Sequence, residues 1–91
     1  MIKSFRCHET EKVFNRIRSR RFINIERVAF RRLRALHNAE TLKDLAGSGM
    51  SLEALRGERG GEYSIRVNGQ FRICFKWNPG EATDVEIVDY H

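Results

Sequence analysis

The sequence predicts an α+β fold: two N-terminal helices packed on one face of a small, mainly antiparallel twisted sheet, in the order β-α-α-β-β-β. Three observations carry it. Apolar residues recur at helical spacing only in the first half, and they alternate with polar ones only in the second. Between two of the alternating runs lies Asn68-Gly69, a strong hairpin signal.

Ile2 to Phe5 is short, partly β-branched and aromatic, and suits a first strand. From about Glu9 to Arg18, Val13, Phe14 and Ile17 fall at helical spacing, and Arg18-Ser19-Arg20-Arg21 reads as a cationic connection. Asn24 is a candidate N-cap for a second helix. There Ile25, Val28, Ala29, Leu33 and Leu36 make one apolar stripe, and Arg27, Arg31 and Arg34 line the other face. Thr41 and Asp44 have the spacing of a short capping box, with Leu42 and Leu45 anchoring one more turn. Gly47-Ser48-Gly49 breaks the pattern, and Leu52, Leu55 and Gly57 fall in a loop pinned by its leucines. After Gly60-Gly61 the period becomes two: Tyr63, Ile65 and Val67, then Phe71, Ile73, Phe75 and Trp77. Asn78-Pro79-Gly80 marks a second turn, and Thr83 to Tyr90 supplies the last strand.

The hairpin has a parity problem. A two-residue loop at Asn68-Gly69 would pair Val67 with Gln70 and Ile65 with Arg72, mixing apolar and polar residues on one face. One extra residue pairs Val67 with Phe71 and Ile65 with Ile73, which makes the core face uniformly apolar. Arg66 and Arg72 then become cross-strand neighbours on the opposite, open face, where like charges repel. An anion seated between them would explain the pair. So would two side chains that splay into solvent, or that pair with Glu62 or Glu86.

At 91 residues the chain holds one domain, 1–91, with 41% hydrophobic and 32% charged residues, an ordinary globular balance. Lys and Arg number 17 against 12 Asp and Glu, and 13 of the 17 are Arg. A net charge of +5 and a pI near 9.8 point to a polyanionic partner. The arginine bias fits phosphate, which a planar guanidinium grips as a fork. No apolar run is long enough to span a membrane, and Met1 to Phe5 has no signal-peptide core, so a cytoplasmic location is expected. Cys7 and Cys74 stand far apart in no CxxC spacing, so neither a metal site nor a disulfide scaffold is expected.

The segment Arg56-Gly57-Glu58-Arg59-Gly60-Gly61 lacks a nucleotide-loop spacing, but it can bring backbone close to RNA with Arg56 and Arg59 as phosphate contacts. Otherwise it is a flexible connection. The arginine face of the second helix is either a solvated stripe or a contact for an RNA backbone. His8 and His37 read as surface residues. Asp89-Tyr90-His91 brings together a carboxylate, an aromatic platform and a near-neutral acid or base. As the end of a strand it would ordinarily be a frayed tail. Its backbone should nevertheless pass near Arg72, because the last strand lies beside Phe71 to Trp77.

Ile2-Lys3-Ser4-Phe5, Leu55-Arg56-Gly57-Glu58-Arg59, Tyr63-Ser64-Ile65-Arg66-Val67, Phe71-Arg72-Ile73-Cys74-Phe75 and Asp89-Tyr90-His91 together resemble the HigB toxins of the RelE/ParE superfamily of type II toxin–antitoxin systems. The resemblance covers essentially the whole chain, in family order. It implies the compact RelE-like fold and cleavage of mRNA in the ribosomal A site during translation. It further implies no metal or other cofactor, and neutralisation by a HigA-type helix-turn-helix antitoxin. Arg72 matches the family's arginine on the middle strand, and Asp89, Tyr90 and His91 match its catalytic segment. Where some HigB members have L-H-P-L, this chain has Leu52-Glu53-Ala54-Leu55, so Glu53 replaces a catalytic histidine of that group and can take part of its role. The expected site is thus Arg72, Glu53, Asp89, Tyr90 and His91, with Arg56, Arg59 and Arg66 on RNA. Two other readings stay open: a ParE-like toxin that acts on DNA gyrase without a nuclease, and a non-catalytic nucleic-acid-binding module.

Overall fold

The computed structural model describes residues 1–47 and 49–90. Helix α1 spans His8–Phe14 and α2 spans Glu26–Asn38; strands β1 (Glu53–Ala54), β2 (Glu62–Arg66), β3 (Phe71–Asn78) and β4 (Glu81–Asp89) follow. The strands form one antiparallel sheet in the order β1-β2-β3-β4. Among the described residues no helix is long and apolar enough to cross a membrane.

The hairpin resolves as its parity requires. Val67 N–H bonds Phe71 O at 2.9 Å, Ile65 pairs with Ile73, and Arg66 pairs with Arg72. The extra loop residue is held by Asn68, whose Oδ1 accepts from Gln70 N and Phe71 N, each at 2.8 Å. Ile65, Ile73 and Ile87 therefore share one face, and Ala29, Leu33 and Leu36 of α2 bury against it with Val13 of α1. The reciprocal bond of the capping box is also present, since Asp44 Oδ2 accepts from Thr41 N at 3.1 Å.

Four expectations need correction. The first strand is absent as such: Ile2 and Phe5 make only isolated parallel bridges to Ala82 and Val85 of β4. The reason lies in β4, where Asp84 and Val85 together face the single residue Phe75, a bulge with Asp84 at φ 52. The displaced N–H groups turn to Ser4, Asp84 N to its Oγ at 2.9 Å and Val85 N to its carbonyl at 3.1 Å, so the N-terminal segment patches a bulge. Secondly, α1 stops at Phe14 rather than near Arg18. Arg16, at φ 59, donates to Val13 O, and Ile17 donates to Lys12 O at 2.8 Å. These are the two bonds of a Schellman cap, built here on arginine instead of glycine. Ile17, expected on the apolar stripe, is 54% exposed. Thirdly, the cap of α2 is Ile25 with no side-chain bond, and Asn24 lies outside it. Fourthly, Glu53–Ala54, read as loop, pairs with Ser64 and Tyr63 as a short edge strand.

Candidate active site

Cross-strand partners share a face, so the register builds the open side of the sheet in rows. Glu53, Ser64, Cys74 and Glu86 form one row, and Arg66, Arg72 and Val88 the next. Both lie opposite the helices.

Arg72 is 9% exposed, so it does not stand open beside Arg66 as expected. Its Nε donates to Ser64 Oγ at 2.7 Å, and its Nη2 donates to Ser64 O at 3.3 Å and to Ser51 O. Glu53 Oε2 stands 4.0 Å from the same Nη2. These contacts draw the guanidinium beneath the 51–53 segment and away from Arg66. Hence the pair needs no anion between it, nor Glu62 or Glu86, to be tolerated. Among the described residues Nη1 alone has no protein partner, and no buried polar side-chain atom is left unpaired, so Nη1 is not sealed from solvent. Ser51, which supplies the carbonyl, has φ 45, a left-handed conformation that only a fixed local frame maintains in a non-glycine residue. Arg32 of α2 supplies part of that frame: its Nε bonds Arg66 O at 3.1 Å and its Nη2 bonds Gly49 O at 3.2 Å. Met50 O in turn accepts from Arg66 N at 2.7 Å.

The other candidates divide. Glu53 is beside Arg72 but its side chain is 57% exposed, so it meets both the arginine and solvent. Arg66 is exposed and presents its charge to water. Arg56 is exposed too, yet it follows Leu55, whose N–H pairs with Glu62 O at the start of β2, so it lies beyond the opposite end of that strand from Arg66. Arg59 is committed: its Nη1 bonds Glu62 Oε1 at 3.1 Å and its Nη2 bonds Glu86 Oε2 at 2.9 Å. The Glu86 bond in particular raises the Arg59 pKa further above its ordinary value. Arg6 closes the cluster, with Nη1 2.8 Å from Glu86 Oε2 and Nη2 3.6 Å from Glu62 Oε2.

The end of β4 passes Arg72 as expected, since Val88 is its cross-strand partner. Alternation then separates the side chains. Asp89 pairs with Phe71, on the face of Ile73 and Ile87, and its Oδ2 accepts from Gln70 Nε2 at 3.1 Å. Tyr90 is exposed, and its N–H bonds Gln70 O at 2.6 Å. His91, like Ser48 of the loop, lies outside the described residues. The structure thus joins Arg72 to Glu53 and puts Asp89 on the other face. Among the described residues, no three His, Cys, Asp or Glu side chains converge on a possible metal position.

Ser51, Ser64, Arg6 and Arg32 were missed as site residues. Ser64 was findable: it is a small polar residue on the open face of β2, one diagonal step from Arg72. The carbonyl of Ser51 leaves no trace in a sequence.

The RelE-like toxin of the type II toxin–antitoxin system HigB is the family whose profile matches residues 3–91. The chain belongs to this HigB toxin family. It is similar to "Toxin HigB-1" of Vibrio cholerae serotype O1, 42% identical over 60 residues that cover 65% of this chain and 63% of that protein. It is also similar to "Endoribonuclease HigB" of Proteus vulgaris, 35% identical over 60 residues that cover 66% of this chain and 65% of that one. The match therefore spans less than two thirds of either HigB relative. In fold it resembles a chain of the YoeB–YefM toxin–antitoxin complex from Staphylococcus aureus. The TM-score is 0.65 with 17% identity, over 100% of this chain and 95% of that one. The two helices over an antiparallel sheet are thus an architecture that this HigB-family chain shares with a YoeB–YefM chain.

Proposed function

We propose that the chain is a ribosome-dependent mRNA endoribonuclease of the cytoplasm, cleaving translated mRNA in the A site without a metal ion and neutralised by a HigA-type helix-turn-helix antitoxin. The observation that carries this reading is Arg72, fixed through Nε and Nη2 with Nη1 left towards solvent, beside the carboxylate of Glu53. A cation held in this way can meet charge that develops on a phosphate without first reorganising. In the reaction the RNA 2′-oxygen loses its proton to a base and attacks the adjacent phosphorus. The bond to the 5′-oxygen breaks, and that oxygen takes up a proton, giving a 2′,3′-cyclic phosphate and a 5′-hydroxyl. Arg72 stabilises the phosphorane, Glu53 accepts the first proton, and His91 supplies the second. Asp89 acts on His91 through charge, and Tyr90 stacks on a base. Arg66 and Arg56 contact flanking phosphates. Arg59 joins them only by exchanging a carboxylate partner for a phosphate.

Primer extension on an mRNA in a translating extract tests this. The expected result is cuts within codons that vanish when ribosomes are omitted. Intact mRNA together with loss of gyrase supercoiling would replace this reading with the ParE-like one, and RNA binding without either activity would leave only the binding module.

A further inference from the structure

Outside the sheet, the Schellman cap of α1 leaves an unfilled groove of about 520 Å³ between the end of α1 and the outer side of α2. Val13, Ile17 and Phe30 give it apolar walls, and Ile17 is among the most exposed large apolar side chains of the described residues. Arg16, Arg27 and Arg31 surround them. Arg27 and Arg31 follow one another at i, i+4 on α2, both exposed, and neither has a carboxylate partner among the described residues. Arg16 lies over the Phe30 ring, 4.1 Å from its centroid. Among the described residues that line it, Glu26 is the one acidic group.

We propose that this groove is the docking site for an acidic amphipathic helix of the antitoxin. The inference rests on the antitoxin partnership proposed above and gives it a surface. The apolar walls call for leucine-like side chains at i, i+3 or i+4 of the incoming segment, and the unpaired arginines call for flanking Asp or Glu. Two other occupants fit less well. A second copy of this chain would bring arginines against arginines. RNA would answer the charge but leave Ile17 and its apolar neighbours in water. The groove belongs to the helical layer, whereas Arg72 is on the far face of the sheet.

The experiment uses the full chain with its HigA-type antitoxin. Affinity is measured for wild type, Ile17→Asp and the double variant Arg27→Glu/Arg31→Glu, with ribosome-dependent mRNA cleavage assayed on each toxin alone. All three residues are exposed, and circular dichroism checks that each variant folds. Both variants should weaken antitoxin binding by ~100-fold, in the range of a severed charge pair, and cleave mRNA at the wild-type rate. Changing matching acidic residues of the antitoxin to lysine should restore binding to the double variant. Unchanged affinity in both variants overturns the proposal. Lost cleavage with antitoxin binding intact also overturns it and reassigns the arginines to RNA. If wild type binds antitoxin but cuts nothing, the nuclease reading fails while the groove is still tested by the affinities.

Discussion

A guanidinium carries three nitrogens, and the protein engages two of those on Arg72 before any substrate arrives. Arg72→Ala should therefore do two things. It should abolish cleavage, and it should lower stability by about 1–3 kcal/mol in a denaturant titration, because Ser64 and the Ser51 carbonyl lose a buried donor. Simple relief of repulsion from Arg66 would instead leave stability unchanged or raise it. Ser64→Ala removes the acceptor of Nε and frees the guanidinium to swing, so cleavage should fall ~10–100-fold with little change in ribosome binding. Ser64→Thr keeps the hydroxyl and should restore most of the rate; equal losses in the two variants would show packing, not positioning. For the proton-transfer roles, His91→Ala should slow cleavage at least ~100-fold, read by single-turnover assays. A normal rate would move the role to Glu53, Asp89 or Tyr90. At this scale the sequence named the candidate residues and misjudged the surroundings of Arg72. Arg72 was placed on the correct face by strand parity alone, but its burial depends on a loop carbonyl that no pattern encodes.

Helix α1 is seven residues long, too short to be stable alone, and a buried bond ties it to the sheet, Ile87 N to Thr10 Oγ1 at 2.9 Å. Thr10→Val is nearly isosteric and leaves that N–H unpaired. It should cost about 1–3 kcal/mol by thermal denaturation, far more than an exposed Thr→Val would. A shift within a few tenths of a kcal/mol would show that packing alone holds α1 in place. Elements with strong periods were legible. The α2 stripe and the β2–β3 parity follow from residue spacing, because burying one face allows only one rotation or one register. The end of α1 was not, since its cap uses Arg16 at positive φ where a glycine would have signalled it. Neither was β1, because two residues cannot display a period of two.

Across the whole molecule, His37 couples stability to pH. Its Nδ1 accepts the Ile2 N–H at 3.2 Å and its ring lies 5.3 Å from that of Phe14, a setting for neutral imidazole. Burial, then the nearby Arg34 charge, lowers its pKa below the ordinary value of 6.5. Between the folded and the unfolded pKa the unfolded chain binds the extra proton, so stability is full above pH ~7 and declines as pH falls through ~6.5. His37→Asn keeps a hydrogen-bond acceptor and should flatten that slope in urea titrations at stepped pH; an unchanged slope would move the effect elsewhere. At lower pH the carboxylates take over. Asp44 is held low by the Thr41 and Glu40 backbone, Asp84 by Lys76 and Glu9 by Ser19, and their stabilisation is lost as pH falls through these depressed values. The row that holds Ser64 has another consequence. Cys74 is completely enclosed there, and burial pushes its thiol pKa up, so it is neither accessible nor readily ionised. Cys7 is only half-buried. A disulfide reagent mixed with the native protein should consume one equivalent quickly and the second at the frequency with which β2, β3 and β4 part. That slow phase is an intrinsic gauge of how often the face bearing Arg72 comes undone.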